Sequence, residues 1–438
     1  MYKLTSRLLL YSNVGEDSIL MRLADIFRDW ETGTCARAEL IRRIYVQVKR
    51  ILDIATLYGF DDNLWHNYLT FVLISTENSF SLTCERVGAS EGSVNHFARA
   101  DFAAFKALFD FDFGPIEADL GIDCFSVLSR YRAIPKRAQL YYRGVAEAVR
   151  ARSAALERAK DENEVFDLVT AHYRDRGVGL LGLNRAFRIR RTGEGGVEFQ
   201  AINNLDDVTL DDLIGYERQK AELRANTEAF VTGRGCNNML LYGDAGTGKS
   251  TSVKALLNEY AGRGLRMIEI YKHQFDLLSA VIARVKNRNY RFMIFIDDLS
   301  FEENEVEYKF LKAVIEGGVE TRPDNVLICA TSNRRHLIRE TWKDRSDMEH
   351  DGDIHRSDTV EEKLSLAARF GCAVNFSTPD RRQYHDIVRG IAARYRGIDM
   401  DEEQLLLLAN RWEIRHGGVS GRTAQQFINY LSGQSNRE

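Results

Sequence analysis

Proline is scarce in this chain. Only 4 occur among 438 residues, where ordinary usage near 5% would give about 22. Their absence permits long uninterrupted helices. Long apolar runs are missing too: none reaches the roughly 18 residues that a membrane-spanning helix needs. The apolar stretch in MYKLTSRLLLYSNVGEDS is too short for the core of a secretory signal. The six cysteines are widely spaced, without CxxC pairs or histidines at zinc-ligand spacing. Reduced thiols in a soluble cytoplasmic protein, with no membrane association, are the expectation. Nor is there an excess of charge of one sign. Lys+Arg number 60 and Asp+Glu 64, a net of −4. Residues 1–205 carry equal numbers of each, so the net charge belongs to residues 206–438. Neither part is the basic module that binds nucleic acid mainly by neutralising phosphates.

With hydrophobic residues at 44% and charged residues at 28%, the chain has enough apolar surface to fold, and its length implies two or three domains. The first part reads as helical. Asp17 to Trp30 sets Ile19, Leu20, Leu23, Ile26 and Phe27 on one face, and Ala36 to Tyr58 carries Leu40, Ile41, Ile44, Val48, Ile51, Leu52 and Ala55 at helical spacing. Further amphipathic stretches cover 63–76, 97–110, 137–152 and 153–173. Ala186–Arg191 and Val197–Ile202 flank Thr-Gly-Glu-Gly-Gly, a hairpin signal. The polar, acidic run NNLDDVTLDDL then marks a boundary near 205. Beyond it, apolar strand runs at Asn238–Tyr242, Arg266–Ile270, Phe292–Ile296 and Val326–Ala330 alternate with helical runs at Ser250–Tyr260, Phe275–Val285 and Glu305–Glu316. Continuous apolar strands separated by helices predict a parallel sheet covered on both faces. The segment from Asp380 is again helical.

Gly243-Asp244-Ala245-Gly246-Thr247-Gly248-Lys249-Ser250 fits GxxxxGK[ST], with a strand before it and a helix after it. Glycines let successive backbone N–H groups turn inward onto phosphate oxygens. The start of the helix, with Thr251 in its first turn, adds a positive dipole end. Lys249 suits the β- and γ-phosphates, and the Ser250 hydroxyl suits Mg²⁺. A metal-bound nucleotide also needs a carboxylate. Asp297 and Asp298 follow the apolar Ile294-Phe295-Ile296, at the sheet edge where ligands bind in open α/β folds. Asp297 is the metal candidate. Asp298 and Glu302 are both candidates for polarising the attacking water. The next strand ends in Thr331-Ser332-Asn333, and Asn333 is the candidate for positioning the water or touching the γ-phosphate.

In order along the chain, Ile214-Gly215-Tyr216, the phosphate loop, Asp297-Asp298, Asn333, Arg369-Phe370 and Gly421-Arg422 resemble the marks of an AAA+ ATPase. More closely, DDLIGYERQK (211–220), the run 295–338, EEKLSLAARFG (361–371) and GGVSGRTAQQF (417–427) resemble the bacterial domain-of-unknown-function family number 815. The resemblance covers about 186–431. It implies a three-layer αβα P-loop core with a parallel sheet over 206–378 and a helical lid over 379–438. They would be preceded by an α-helical region (1–177) and a hairpin linker (178–205). It also implies roles. Ile214 and Gly215 would lie against the adenine, Asn333 would sense the γ-phosphate, and Arg422 would be the lid arginine on the nucleotide. Arg369 would be the finger offered to a neighbouring subunit, with Arg334 and Arg335 as alternatives. ATP with Mg²⁺, an ATP-dependent homo-oligomer, and a protein or nucleic-acid client follow from the same resemblance. The chain departs from the pattern at two places. Asp298 stands where Glu is common, and Ala367-Ala368 precede Arg369 where Ser-Asp is usual. The shorter carboxylate motivates an alternative function, an ATP-gated interaction module with negligible hydrolysis. The polar stretch 341–360, with His350 and His355, reads as a loop.

Overall fold

The computed structural model describes residues 1–134, 141–193, 196–301, 307–316, 323–333, 366–395, 398 and 400–435. The chain divides into two compact units. One comprises Met1–Arg185 with Ala201–Leu205, the other Ala186–Gln200 with Asp206–Glu438.

The first unit is helical: α1 (Tyr2–Thr5), α2 (Ile19–Thr32), α3 (Arg37–Tyr58), α4 (Leu64–Ser75), α5 (Ser79–Val87), α6 (Val94–Phe109), α7 (Gly114–Leu120), α8 (Cys124–Leu128), α9 (Arg143–Glu157), α10 (Glu162–Arg176) and α11 (Gly179–Leu183). Local chemistry sets the ends. The Ser18 hydroxyl accepts from Met21 N at the start of α2, and the left-handed Gly33 stops it. Helix α3 buries Leu40, Ile44, Gln47, Ile51 and Ala55 at three- and four-residue spacing. The predicted break between 152 and 153 lies instead at residues 158–161. There the Asp161 carboxylate accepts from Asn163 N and Glu164 N and begins α10. Asp101 is fully buried, yet it is satisfied by the backbone N–H groups of Leu9, Leu10 and Tyr11.

The second unit carries the sheet: β1 (Ala186–Arg191), β2 (Val197–Ala201), β3 (Met239–Gly243), β4 (Leu265–Glu269), β5 (Arg291–Ile296), β6 (Val326–Ser332) and β7 (Cys372–Phe376). Among the described residues the strand order is β2-β1-β4-β5-β6-β3-β7. From β1 to β7 each neighbouring pair is parallel. Strands β5 and β6 read as unbroken apolar runs because both faces are covered. Helices α12 (Glu217–Val231), α13 (Lys249–Tyr260), α14 (Leu278–Val285) and α15 (Glu307–Glu316) belong to this layer. Strand β7 is absent from the sequence reading. Its five residues alternate buried and exposed positions, with Ala373 and Asn375 on the outer face, so no apolar run announces it.

Three helices close the unit: α16 (Arg381–Ala392), α17 (Glu402–Arg415) and α18 (Gly421–Ser435). Asp380 and Gln383 form a reciprocal cap at the start of α16. Tyr384, Val388, Ala409, Phe427 and Ile428 make a small core of their own, against which Ile214 packs. Pro115 lies in the first turn of α7, where a missing N–H costs nothing. Pro379 stands between β7 and α16, and Pro135 lies outside the described residues.

Candidate functional site

The phosphate loop joins β3 to α13. Gly243 has φ +128°, and a Cβ there would collide with the Phe376 carbonyl on β7. Gly246 has φ +75°, and its added Cβ would stand 3.1 Å from both the Arg422 Cβ and the Ser420 Oγ. The loop is therefore pressed between β7 and the start of α18, which only bare glycine backbone permits. Arg422 N donates to the Gly246 carbonyl (3.2 Å), and Asp244 N donates to that of Phe376 (3.0 Å). The Asp244 carboxylate accepts from Thr378 N (2.7 Å) and Thr378 Oγ1 (2.6 Å). Those two bonds, the hydroxyl's first, hold its pKa below the usual carboxylate range.

Lys249 opens α13 and is buried. Its ammonium donates to the carbonyls of Gly243 (2.9 Å) and Asp244 (2.6 Å) and to Asn333 Oδ1 (3.0 Å). Burial pulls its pKa down from the ordinary lysine value, and the carboxylates of Asp244, Asp298 and Asp297 pull the other way. One residue further on, Ser250 Oγ donates to Asp297 Oδ1 at 2.6 Å. Thr331 Oγ1 donates to the same oxygen at 2.5 Å. Asn333 Nδ2 donates to Asp298 Oδ1 at 2.8 Å, so the Asn333 amide links Lys249 to Asp298. Asp298 has φ +52°, a left-handed conformation that is strained for a residue with a Cβ. Its N–H is held by Thr331 Oγ1 (2.9 Å).

These groups face a cleft of about 700 Å³. Gly246 to Thr251, Asp297, Asp298, Thr331 and Asn333 line one side. Ile387, Ile391, Arg394, Tyr395 and Arg422 of the lid line another, and Val208, Leu213, Ile214 and Tyr216 add an apolar wall. Of the residues expected from sequence, Lys249, Ser250, Thr251, Asp297, Asp298, Asn333, Ile214 and Arg422 thus converge. Gly215, Gly243, Asp244 and Ala245 shape the backbone without lining the cleft. Arg369 pairs with Glu316 Oε1 at 2.6 Å. Glu302, Arg334, Arg335, His350 and His355 lie outside the described residues. From sequence, Thr331 stands only as part of the polar tip ending in Asn333, and Arg394 has no role. Arg394 donates to the carbonyls of Asp211 (3.2 Å) and Asp212 (3.0 Å), tying the lid to the segment before α12. No local pattern announces that long-range pairing.

The Ser250 hydroxyl and the Asp297 carboxylate are adjacent hard oxygen donors, which fits Mg²⁺. Among the described residues no cluster of three or more His, Cys, Asp or Glu holds a metal by itself. Two oxygen donors leave the remaining positions of an octahedral Mg²⁺ open to other oxygen ligands.

Strand β6 lies between the loop-bearing β3 and the carboxylate-bearing β5, so its tip reaches both Lys249 and Asp298. One strand inserted between those two, with a helical lid against the phosphate loop, is the AAA+ form of the P-loop fold. A family model described as "Protein of unknown function (DUF815)" matches residues 183–435. The chain belongs to this family. Among solved structures, it is similar to the Thermotoga maritima RuvB Holliday junction branch migration motor, at 15% identity over 52% of this chain and 71% of that one, with a TM-score of 0.35. A proline-to-glycine mutant of that same motor gives 16%, 52%, 72% and 0.36. Comparison with curated proteins gives no match. No helix among the described residues is long and apolar enough to cross a membrane.

Proposed function

We propose that the protein binds and hydrolyses ATP and uses the cycle to change the conformation of a protein or nucleic-acid client. The observation that carries this reading is the Asn333 amide bridging Lys249 and Asp298 beside the Ser250–Asp297 pair. It gathers in one cleft a cation for phosphate oxygens, a carboxylate for water, and a metal-binding pair. The backbone N–H groups of the phosphate loop and the first turn of α13 bind the phosphates. Ser250 and Asp297 would hold Mg²⁺, which would supply neutralisation of phosphate charge. Lys249 gives up its carbonyl contacts for phosphate oxygens. Asp298 accepts a hydrogen bond from the attacking water and orients it, and Asn333 fixes Asp298 and the γ-phosphate relative to one another. Glu302 is the alternative acceptor. Arg422 reports phosphate occupancy to the lid. Catalysis is then positioning with electrostatic stabilisation.

Arg369 is proposed as the arginine given to a neighbouring copy in an ATP-dependent homo-oligomer, after exchanging Glu316 for phosphate. An Arg369→Ala subunit mixed into wild type should lower turnover more than in proportion to its share.

Steady-state phosphate release by wild type, Lys249→Ala and Asp298→Asn tests the main reading. We expect losses on the order of 100-fold in both variants. Equal turnover in all three overturns it. A second reading rests on the Asn333 bond to Asp298 Oδ1 and on the short Asp298 side chain. In that reading the protein is an ATP-gated interaction module. Tight ATP binding without phosphate release at high protein concentration is the outcome that selects it.

A further inference from the structure

We infer that Thr331 is the positioning residue that sets both carboxylates of the site through a single hydroxyl. This rests on the nucleotide-binding reading above. Thr331 lies in β6, between the strand that carries the phosphate loop and the strand that carries the acidic pair. The residue is 2% exposed, so water competes little for its hydroxyl. That hydroxyl donates to Asp297 Oδ1 at 2.5 Å and accepts from Asp298 N at 2.9 Å. The Thr331 carbonyl accepts from Leu299 N at 2.7 Å. Three consecutive residues after β5 are therefore fastened to one residue of β6.

The two hydroxyl bonds do different work. The bond to Asp297 pins one carboxylate oxygen, which Ser250 also engages, and so fixes the plane in which the other oxygen is presented. Without it the Asp297 side chain is free to rotate about a bond whose orientation decides metal ligation, and partners of ligating carboxylates act on affinity in this way. The bond from Asp298 N holds a residue at φ +52°, which a non-glycine backbone leaves unless something over-determines it. The same left-handed turn directs the Asp298 carboxylate to the Asn333 amide. A hydroxyl is required, because only a group that both donates and accepts can serve a carboxylate and an N–H together. Valine has the same shape and does neither.

The experiment is equilibrium binding of a fluorescent ADP analogue to the full chain, with excess Mg²⁺ and with EDTA, for wild type, Thr331→Val and Thr331→Ser. The quantity read is the factor by which Mg²⁺ tightens binding. We expect Thr331→Val to bind within about twofold of wild type in EDTA and to lose about tenfold of the Mg²⁺-linked factor. Thr331→Ser, which keeps the hydroxyl and loses only a methyl, should restore most of it. A Thr331→Val protein with the wild-type factor overturns the assignment. So does a Thr331→Ser protein as impaired as the valine variant, since packing would then be the cause. If Thr331→Val fails to fold, the serine variant decides alone: the wild-type factor supports the hydroxyl, and its loss overturns it. Wild type that binds no nucleotide in either buffer overturns the nucleotide reading itself, and is separable from these outcomes.

Discussion

Asp244 accepts both the N–H and the hydroxyl of Thr378, at 2.7 and 2.6 Å. A residue of the phosphate loop is thereby fastened to the short segment that leads from β7 into the lid. The x positions of GxxxxGK[ST] are free in the motif, and here one of them sets the loop against the hinge. Asp244→Ala should weaken nucleotide binding by about fivefold, the scale of one ordinary hydrogen bond at about 1 kcal/mol. Asp244→Asn, which keeps an acceptor oxygen, should cost less. Titration with a fluorescent nucleotide checks both. Because its folded pKa is depressed, the clamp is at full strength above the ordinary aspartate value of about 3.9. It is lost as pH falls through the lower folded value. Binding near neutral pH should therefore show no dependence on this group.

Gly246 allows a separate test. At φ +75°, with an added Cβ 3.1 Å from the Arg422 Cβ, alanine meets both backbone strain and the lid helix. Gly246→Ala should cost about 1–2 kcal/mol from the left-handed backbone alone, visible as a lower melting temperature. Gly262→Ala is the control, since nothing lies within 4 Å of a Cβ there and its φ lies outside the strained range.

Much of the site was legible in sequence, because its parts are local signals. The glycines and lysine of the loop, the acidic pair after Ile296 and the asparagine after β6 each follow an apolar strand. What was not legible is relational. Thr331 looked like no more than part of a polar tip until its hydroxyl was seen to join Asp297 and Asp298, and Arg394 gained a partner only once the lid met residues 211–212. Strand β7 lacked a signal because its edge position leaves every second side chain exposed. The hairpin at 186–201 read correctly as a pair of strands. Their place at the edge of the seven-stranded sheet depends on β1 pairing with β4, some eighty residues away in the chain.

Asp298 separates strain from chemistry. Asparagine tolerates the left-handed region, so Asp298→Asn should keep the melting temperature and lose turnover. Asp298→Gly also removes the carboxylate but relieves φ +52°. It should melt higher, by a shift corresponding to about 1 kcal/mol, with turnover as low as in the asparagine variant. Calorimetry and phosphate release on the same samples check the pair. A glycine variant less stable than wild type would show that the observed φ is not a strained state.

In the helical unit, His172 makes the stability of the protein depend on acid. It is 2% exposed, and its Nε2 has no hydrogen-bond partner among the described residues. Burial foremost, then the charges of Arg152 and Arg176, push its pKa down to about 3, against a smaller opposing pull from Asp175. In the unfolded chain the imidazole takes up a proton near 6.5. Between those values the unfolded state binds more protons, so acid favours unfolding. The contribution of His172 is complete above about 6.5 and falls by up to about 1.4 kcal/mol per pH unit on the way down to about 3. From pH 6.5 to pH 5.5 the full chain should lose roughly 1 kcal/mol from this group. His172→Leu has no proton to gain and should lack that part of the slope, while other groups keep theirs. Urea unfolding of both proteins at pH 7.5, 6.5 and 5.5 measures it. Parallel stability curves for the two would mean that His172 is already protonated in the fold, or reached by water that the buried geometry excludes.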